Sequence, residues 1–308
     1  MIRNLVGSTW RGAAAVLAFA LLTPACGGAV QSGVAVGKVA EGLSSDAHAA
    51  PQGAEVCALQ EALSAPTPGG AEKATSESCA KAAKSDQLWH RALLVLGAYG
   101  EAIETMASGE GGSMAGQLEA AQTGVRGADW VDVDSAPEQA ARTAVVNLVN
   151  QLSANASKGD LAATVKAAAP NVKTLCDGLT SYLETQAHSL ADIEKEAEKR
   201  RAAHSDRRCA SLDGKSICVG ESMIDRMVYA SAFGQIATLE SAHLEAHDDV
   251  AGFCAAHLKL EAAANAGTLS KDQTYLDVVD AVKSVHRAQP QIGSGSGSSK
   301  PEPAPAKK

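Results

Sequence analysis

The sequence predicts an all-α fold: an elongated helical bundle with a long antiparallel helical hairpin, stapled by disulfides. Three observations lead there. Aromatic residues make up only 3 % of the 308 residues, while Ala contributes 62 of them. That composition is poor in the side chains sheets favour and rich in the best helix former. Apolar residues recur at i, i+3, i+4 and i+7 over several long segments. Six of the seven cysteines fall at matched distances around predicted turns.

The first strong helical stripe covers residues 86–108, with Leu88, Trp89, Leu93, Leu96, Tyr99, Ile103 and Met106 on one face. Gly109-Glu110-Gly111-Gly112 stops it. Ser135-Ala136-Pro137-Glu138 reads as a helix start, with a Ser cap, Pro in the first turn and Glu closing a capping box. Ala141, Val145, Leu148, Val149 and Leu152 continue it to Lys158-Gly159. A near-heptad stripe from Val172 to Ala197 predicts a helix over 170–204, and a second long pattern covers about 221–264. A last helix is expected over about 271–288, starting at Ser270 with Gln273 in the capping-box position. No two-residue hairpin between alternating strands is expected, nor any solenoid repeat.

The cysteines act as rulers. In an antiparallel helix pair both legs rise about 1.5 Å per residue, so residues equally far from the turn sit level. With the long hairpin turning at Asp213-Gly214, Cys176 and Cys254 come level and Cys209 and Cys218 flank the tip. Cys57 and Cys79 lie similarly about the Pro66-Thr67-Pro68-Gly69-Gly70 break. The predicted pairs are Cys57–Cys79, Cys176–Cys254 and Cys209–Cys218. Each is expected to contribute about 2–4 kcal/mol. Free thiols or a thiolate metal site are the alternative, but the C-x-x-C spacing such sites usually show is missing. Burying Ala removes little apolar area from water, so an Ala-rich bundle gains from covalent staples.

The first 30 residues carry export information. Arg3 and Arg11 precede an apolar run, AAAVLAFALL, over 13–22, followed by Thr23-Pro24-Ala25-Cys26-Gly27. The run is too short for a permanent membrane span and has signal-peptide flanks. This region resembles a bacterial lipoprotein precursor, although Leu22 stands one place early and Thr23 and Pro24 occupy the lipobox positions. The resemblance implies acylation of Cys26 and a membrane anchor, the outer membrane before the inner, since Gly27 stands where a retention Asp often does. The alternative is ordinary secretion as a soluble periplasmic or extracellular protein, with cleavage near Ala25. Setting Cys26 aside leaves six cysteines, an even number suited to an oxidising compartment.

The expected organisation is a signal peptide at 1–25, a lipidated Cys and flexible tether at 26–52, an all-helical domain at 53–289, and a disordered Gly/Ser/Pro tail at 290–308. The tether follows from the Gly- and Ser-rich run GGAVQSGVAVGKVAEGLSS, in which no helical stripe is evident.

The net charge of −8, or −10 once residues 1–25 are removed, argues against nucleic acid as a partner. No G-x-S-x-G, P-loop, H-E-x-x-H or G-x-G-x-x-G motif occurs, so no catalytic residue is assigned and no cofactor is required. The favoured reading is a non-enzymatic envelope lipoprotein, held by acyl chains on Cys26. It would act as a helical scaffold or interaction module toward another envelope protein or polymer. Arg200, Arg201, Arg207 and Arg208, near the hairpin tip, are the candidate contact for an anionic partner. They are also what a helix C-terminus attracts through its dipole. The second reading is a transition-metal site on Glu240, His243 and His247, whose E-x-x-H-x-x-x-H spacing puts three ligand types on one side of a helix. Glu184 and His188 come level with it from the partner helix.

Overall fold

The computed structural model describes residues 28–47, 52–64, 77–108, 135–155, 160–206, 209–212, 215–218, 223–269 and 276–282, with isolated positions at 119, 121, 122, 125, 133 and 274. The described residues form an all-helical bundle carrying one short β-hairpin. The helices are α1 (Gly28–Asp46), α2 (Gly53–Ser64), α3 (Glu77–Ser108), α4 (Ala136–Asn155), α5 (Leu161–Asp206) and α6 (Met223–Ala266). Strands β1 (Cys209–Leu212) and β2 (Lys215–Cys218) lie between α5 and α6, and a short helical stretch spans 276–282. Among the described residues no helix is long and apolar enough to cross a membrane.

Helices α5 and α6 are the long antiparallel hairpin, 46 and 44 residues long. A disulfide joins Cys176 to Cys254 with their Cα atoms 6.0 Å apart. A second joins Cys57 of α2 to Cys79 of α3, with a Cα separation of 5.4 Å. Both pairs are those the level-height argument selects. Helix α5 starts nine residues before the expected 170, because Asp160 caps it by accepting a hydrogen bond from the Ala163 N–H at 3.0 Å. Pro170 sits exposed inside the helix rather than at its start. The predicted cap of α4 is present: the Glu138 N–H points at Ser135 Oγ, 3.4 Å away, and Ser135 donates back to the Glu138 carboxylate at 2.5 Å.

Two expectations are overturned. Residues 28–46 are helix α1, not a tether, and Val36, Ala40 and Leu43 on it are fully buried. The stripe is present but built from small residues. A Cβ added at Gly33 would fall 2.1 Å from the Ala107 Cβ, and one at Gly100 equally close to the Ala40 Cβ. Real Cβ atoms never approach so closely, so these glycines let α1 and α3 pack backbone to backbone. The second correction is the tip. Leu212 is paired with Lys215 and Cys209 with Cys218 in an antiparallel ladder, so Asp213 and Gly214 join two strands. Asp-Gly between short strands is a hairpin signal in its own right.

The main core fills the space among α1, α3, α4, α5 and the second half of α6, centred on Leu43, Leu93, Tyr99, Leu148, Leu175, Leu183 and Phe253. A separate apolar cluster lies toward the tip. There Val56 and Leu59 of α2 pack on Leu190 and Ile193 of α5 and on Ala232, Ile236 and Leu239 of α6.

Candidate functional site

The surface that the hairpin carries to its far end is the candidate interaction site. Helix α2 braces the hairpin below it. The main-chain N–H groups of Gly53 and Ala54, which at the start of α2 have no carbonyl partner within the helix, are met by the Asp86 carboxylate of α3 at 2.9 and 2.8 Å. Tyr182 of α5 donates to the same carboxylate at 2.5 Å. Burial first, then the Asp86 charge, raises the Tyr182 phenol well above its ordinary value, so it remains a donor. The other end of α2 is tied to α5 by Arg200, which donates to the Leu63 carbonyl and, at 2.8 Å, to Glu196. An open groove between α2 and α5 is lined by Gln60, Leu63, Ser189, Asp192, Ile193 and Glu196.

This geometry changes the reading of the cations. Arg200 is a brace rather than a free contact. Lys195 lies 3.6 Å from Asp192 and Lys199 3.8 Å from Glu196, both as exposed pairs along the helix. Arg201 is exposed. Arg207 and Arg208 lie outside the described residues, as do Cys26, the signal peptide and the 290–308 tail. For Cys209 and Cys218 the backbone register sets the two residues opposite each other, while their side chains are outside the description.

The metal constellation is not assembled. His243 is buried, and Glu240 and His247 are half-buried. Their three ligand atoms do not all lie within 4.8 Å of one another; among the described residues only those of Cys57, Glu61 and Cys79 do so as a group of three. Those two sulfurs are bonded to each other, so neither is a thiolate that could hold a metal. His247 instead sits 3.9 Å from the Glu184 carboxylate across the hairpin, which confirms the level pairing of the two helices. Glu184 and His188 are exposed, as their position opposite the α5 stripe requires.

Polar interactions inside the bundle carry no sequence signal. The His90 Nδ1–H donates to the Ala47 carbonyl and so finishes the end of α1. Tyr99 Oη lies 2.9 Å from His257 Nε2 in the centre of the core. Burial pushes the His257 imidazole down to about 4, so it is neutral. Asp46, at the negative end of α1, is held up to about 7, chiefly by burial and then by Asp249 and Glu245 of α6.

No family model, curated protein or solved structure matches this chain.

Proposed function

We propose that this chain is an exported lipoprotein of the bacterial cell envelope that works as a rigid helical spacer, without catalysis. The observation that carries the reading is the α5–α6 hairpin pinned by Cys176–Cys254 behind an N-terminal export pattern. A structural disulfide of this kind persists in oxidising compartments, and the leader ending at Cys26 supplies the route. A hairpin more than 40 residues long on each leg carries its tip beyond the main core. Its role is therefore read as reach and presentation of a tip to another envelope component. Acyl chains on Cys26 would anchor it, with at least two chains needed for stable attachment. The outer membrane is preferred to the inner because Gly27 follows Cys26.

Labelled-palmitate incorporation tests the anchor. The expected result is label on the wild-type chain and none on Cys26→Ser, which should also accumulate as an unprocessed or soluble form. A wild-type chain that takes up no label, and is found soluble outside the cytoplasm, would replace the anchored reading with plain secretion.

A further inference from the structure

Resting on the anchored reading, we infer that the bundle stands away from its membrane, with the acylated end and the β-hairpin tip at opposite ends of the long axis. The direction of α1 decides this. Gly42 lies against Asp249, and Val39 against Gly252. Helix α1 therefore runs antiparallel to α6, and the same offset puts Gly28 level with Ala263. From Ala263 to the start of α6 at Met223 is about 60 Å of helix, before the strands begin. The contacts to α3 agree: Gly33 meets Ala107, and Gly97 meets Ser44, so α1 begins at the end of the bundle where α3 finishes.

Cys26 precedes Gly28 by two residues, which reach at most about 7 Å. With α1 docked rather than acting as a tether, an acyl anchor on Cys26 has no slack and holds the α3/α6 end against the bilayer. The anchor point is thereby fixed at one end of the long axis, with the tip at the other. Two further features favour the upright pose. Leu258 and Leu276 are 55 % and 51 % exposed. Val282 lies near Gly252, so the 276–282 segment runs back along α6 and Leu276 comes level with Leu258. That level is about 8 Å from the Gly28 level, giving the anchored end apolar side chains for the interface. The mature chain is also acidic, with a net charge of −10 once residues 1–25 are removed. An anionic leaflet therefore disfavours a shaft lying along it.

The pose sets a distance for the partner: it meets the tip at least about 60 Å from the anchoring bilayer. The lipids of that same bilayer are thereby removed as the ligand of the tip. The experiment is energy transfer in vesicles carrying the full acylated chain. A donor fluorophore is placed by a coded unnatural residue at Asn265 or at Met227, both exposed, with an acceptor on the lipid headgroups. Asn265 lies at the anchored end, and about 57 Å of helix separates the two levels. Transfer from 227 should be about five-fold or more below transfer from 265, because transfer to a plane of acceptors falls steeply with height above it. Equal transfer from both positions, on protein that floats with the vesicles, means the bundle lies flat and overturns the inference alone. Protein that does not float with the vesicles overturns the anchored reading and the inference together. Unchanged helicity of both labelled proteins shows that the comparison is made on the folded chain.

Discussion

Helix α1 and the α5–α6 hairpin each bury one side against the same core, yet they are held by different means. The hairpin carries Leu, Ile and Tyr at near-heptad spacing, a covalent link at Cys176–Cys254 and braces from α2. Helix α1 has no covalent link among the described residues. It carries Gly33, Gly37 and Gly42 in its interior, each about 1 kcal/mol worse than Ala for an isolated helix. Alone it would not be expected to stay helical. It folds because those same glycines allow contact so close that dispersion attraction accumulates along the whole seam with α3. The hairpin can therefore be helical before it is packed, whereas α1 is helical only because it is packed.

Breaking the covalent link is the largest single test. Cys176→Ala with Cys254→Ala removes a constraint on a 78-residue separation, worth about 4 kcal/mol by the loop-entropy estimate. Denaturant unfolding should show that loss, while helix content in buffer stays unchanged because the packing stripe remains. Next is Gly33→Val. Its Cβ would fall 2.1 Å from the Ala107 Cβ, with α3 backbone directly behind, so the seam must open. About 3 kcal/mol is expected. The distinguishing readout is local: protease should cut in 28–46 of the variant while the α5–α6 region stays protected. If global stability falls but α1 stays as protected as the hairpin, the contrast between the two regions is wrong.

The same contrast explains what was legible in the sequence. The hairpin was readable because Leu175, Leu179, Leu183, Leu190 and Ile193 mark a period, and Cys176 and Cys254 mark a height. Ser135 and Glu138 announce their helix start through one local motif. Helix α1 reads as a tether because Gly and Ser are the residues of linkers, and a stripe of Gly33, Val36, Gly37, Ala40 and Leu43 is faint on any scale weighted by side-chain size. Its burial depends on a matching surface on α3, sixty residues away, which no local pattern reports. The β-hairpin is hidden for the opposite reason: Asp213-Gly214 between two long helical patterns reads as the turn of a helical pair. At the candidate site, Asp86 caps a helix that begins 33 residues earlier. Neither residue betrays the other in sequence. Glu240, His243 and His247 show the reverse error, since shared spacing along one helix face does not make side chains converge.

Asp86→Ala probes the brace rather than either region alone. It leaves the Gly53 and Ala54 N–H groups and the Tyr182 hydroxyl without their carboxylate. About 2 kcal/mol should be lost. Amide exchange should rise first in α2, and the groove between α2 and α5 should loosen. The Cys57–Cys79 bond should keep α2 tethered to α3 throughout, so complete release of α2 requires reduction as well.

The smallest effect expected is the most specific to α1, and it concerns pH. Asp46 is 7 % exposed and its carboxyl is held up to about 7 against an ordinary value of 3.8, by burial and by Asp249 and Glu245. The folded state thus binds more protons than the unfolded state between about pH 4 and 7. Stability contributed by this group is full below that window and falls as pH rises through it. His257 acts in the opposite sense: its value is lowered from 6.5 to about 4 by burial, so stability falls as pH drops through that range. Between about pH 4 and 6.5 the two opposing slopes largely cancel, so the Asp46 contribution is isolated only by substituting that residue. Asp46→Asn keeps the shape but removes the charge that α6 repels, and should stabilise the protein by about 1–2 kcal/mol at pH 8 and little at pH 5. Urea titrations of both proteins at the two pH values check the sign. A gain at pH 5 equal to that at pH 8 would show that Asp46 is ionised throughout, and that the end of α1 is not pressed against the carboxylates of α6.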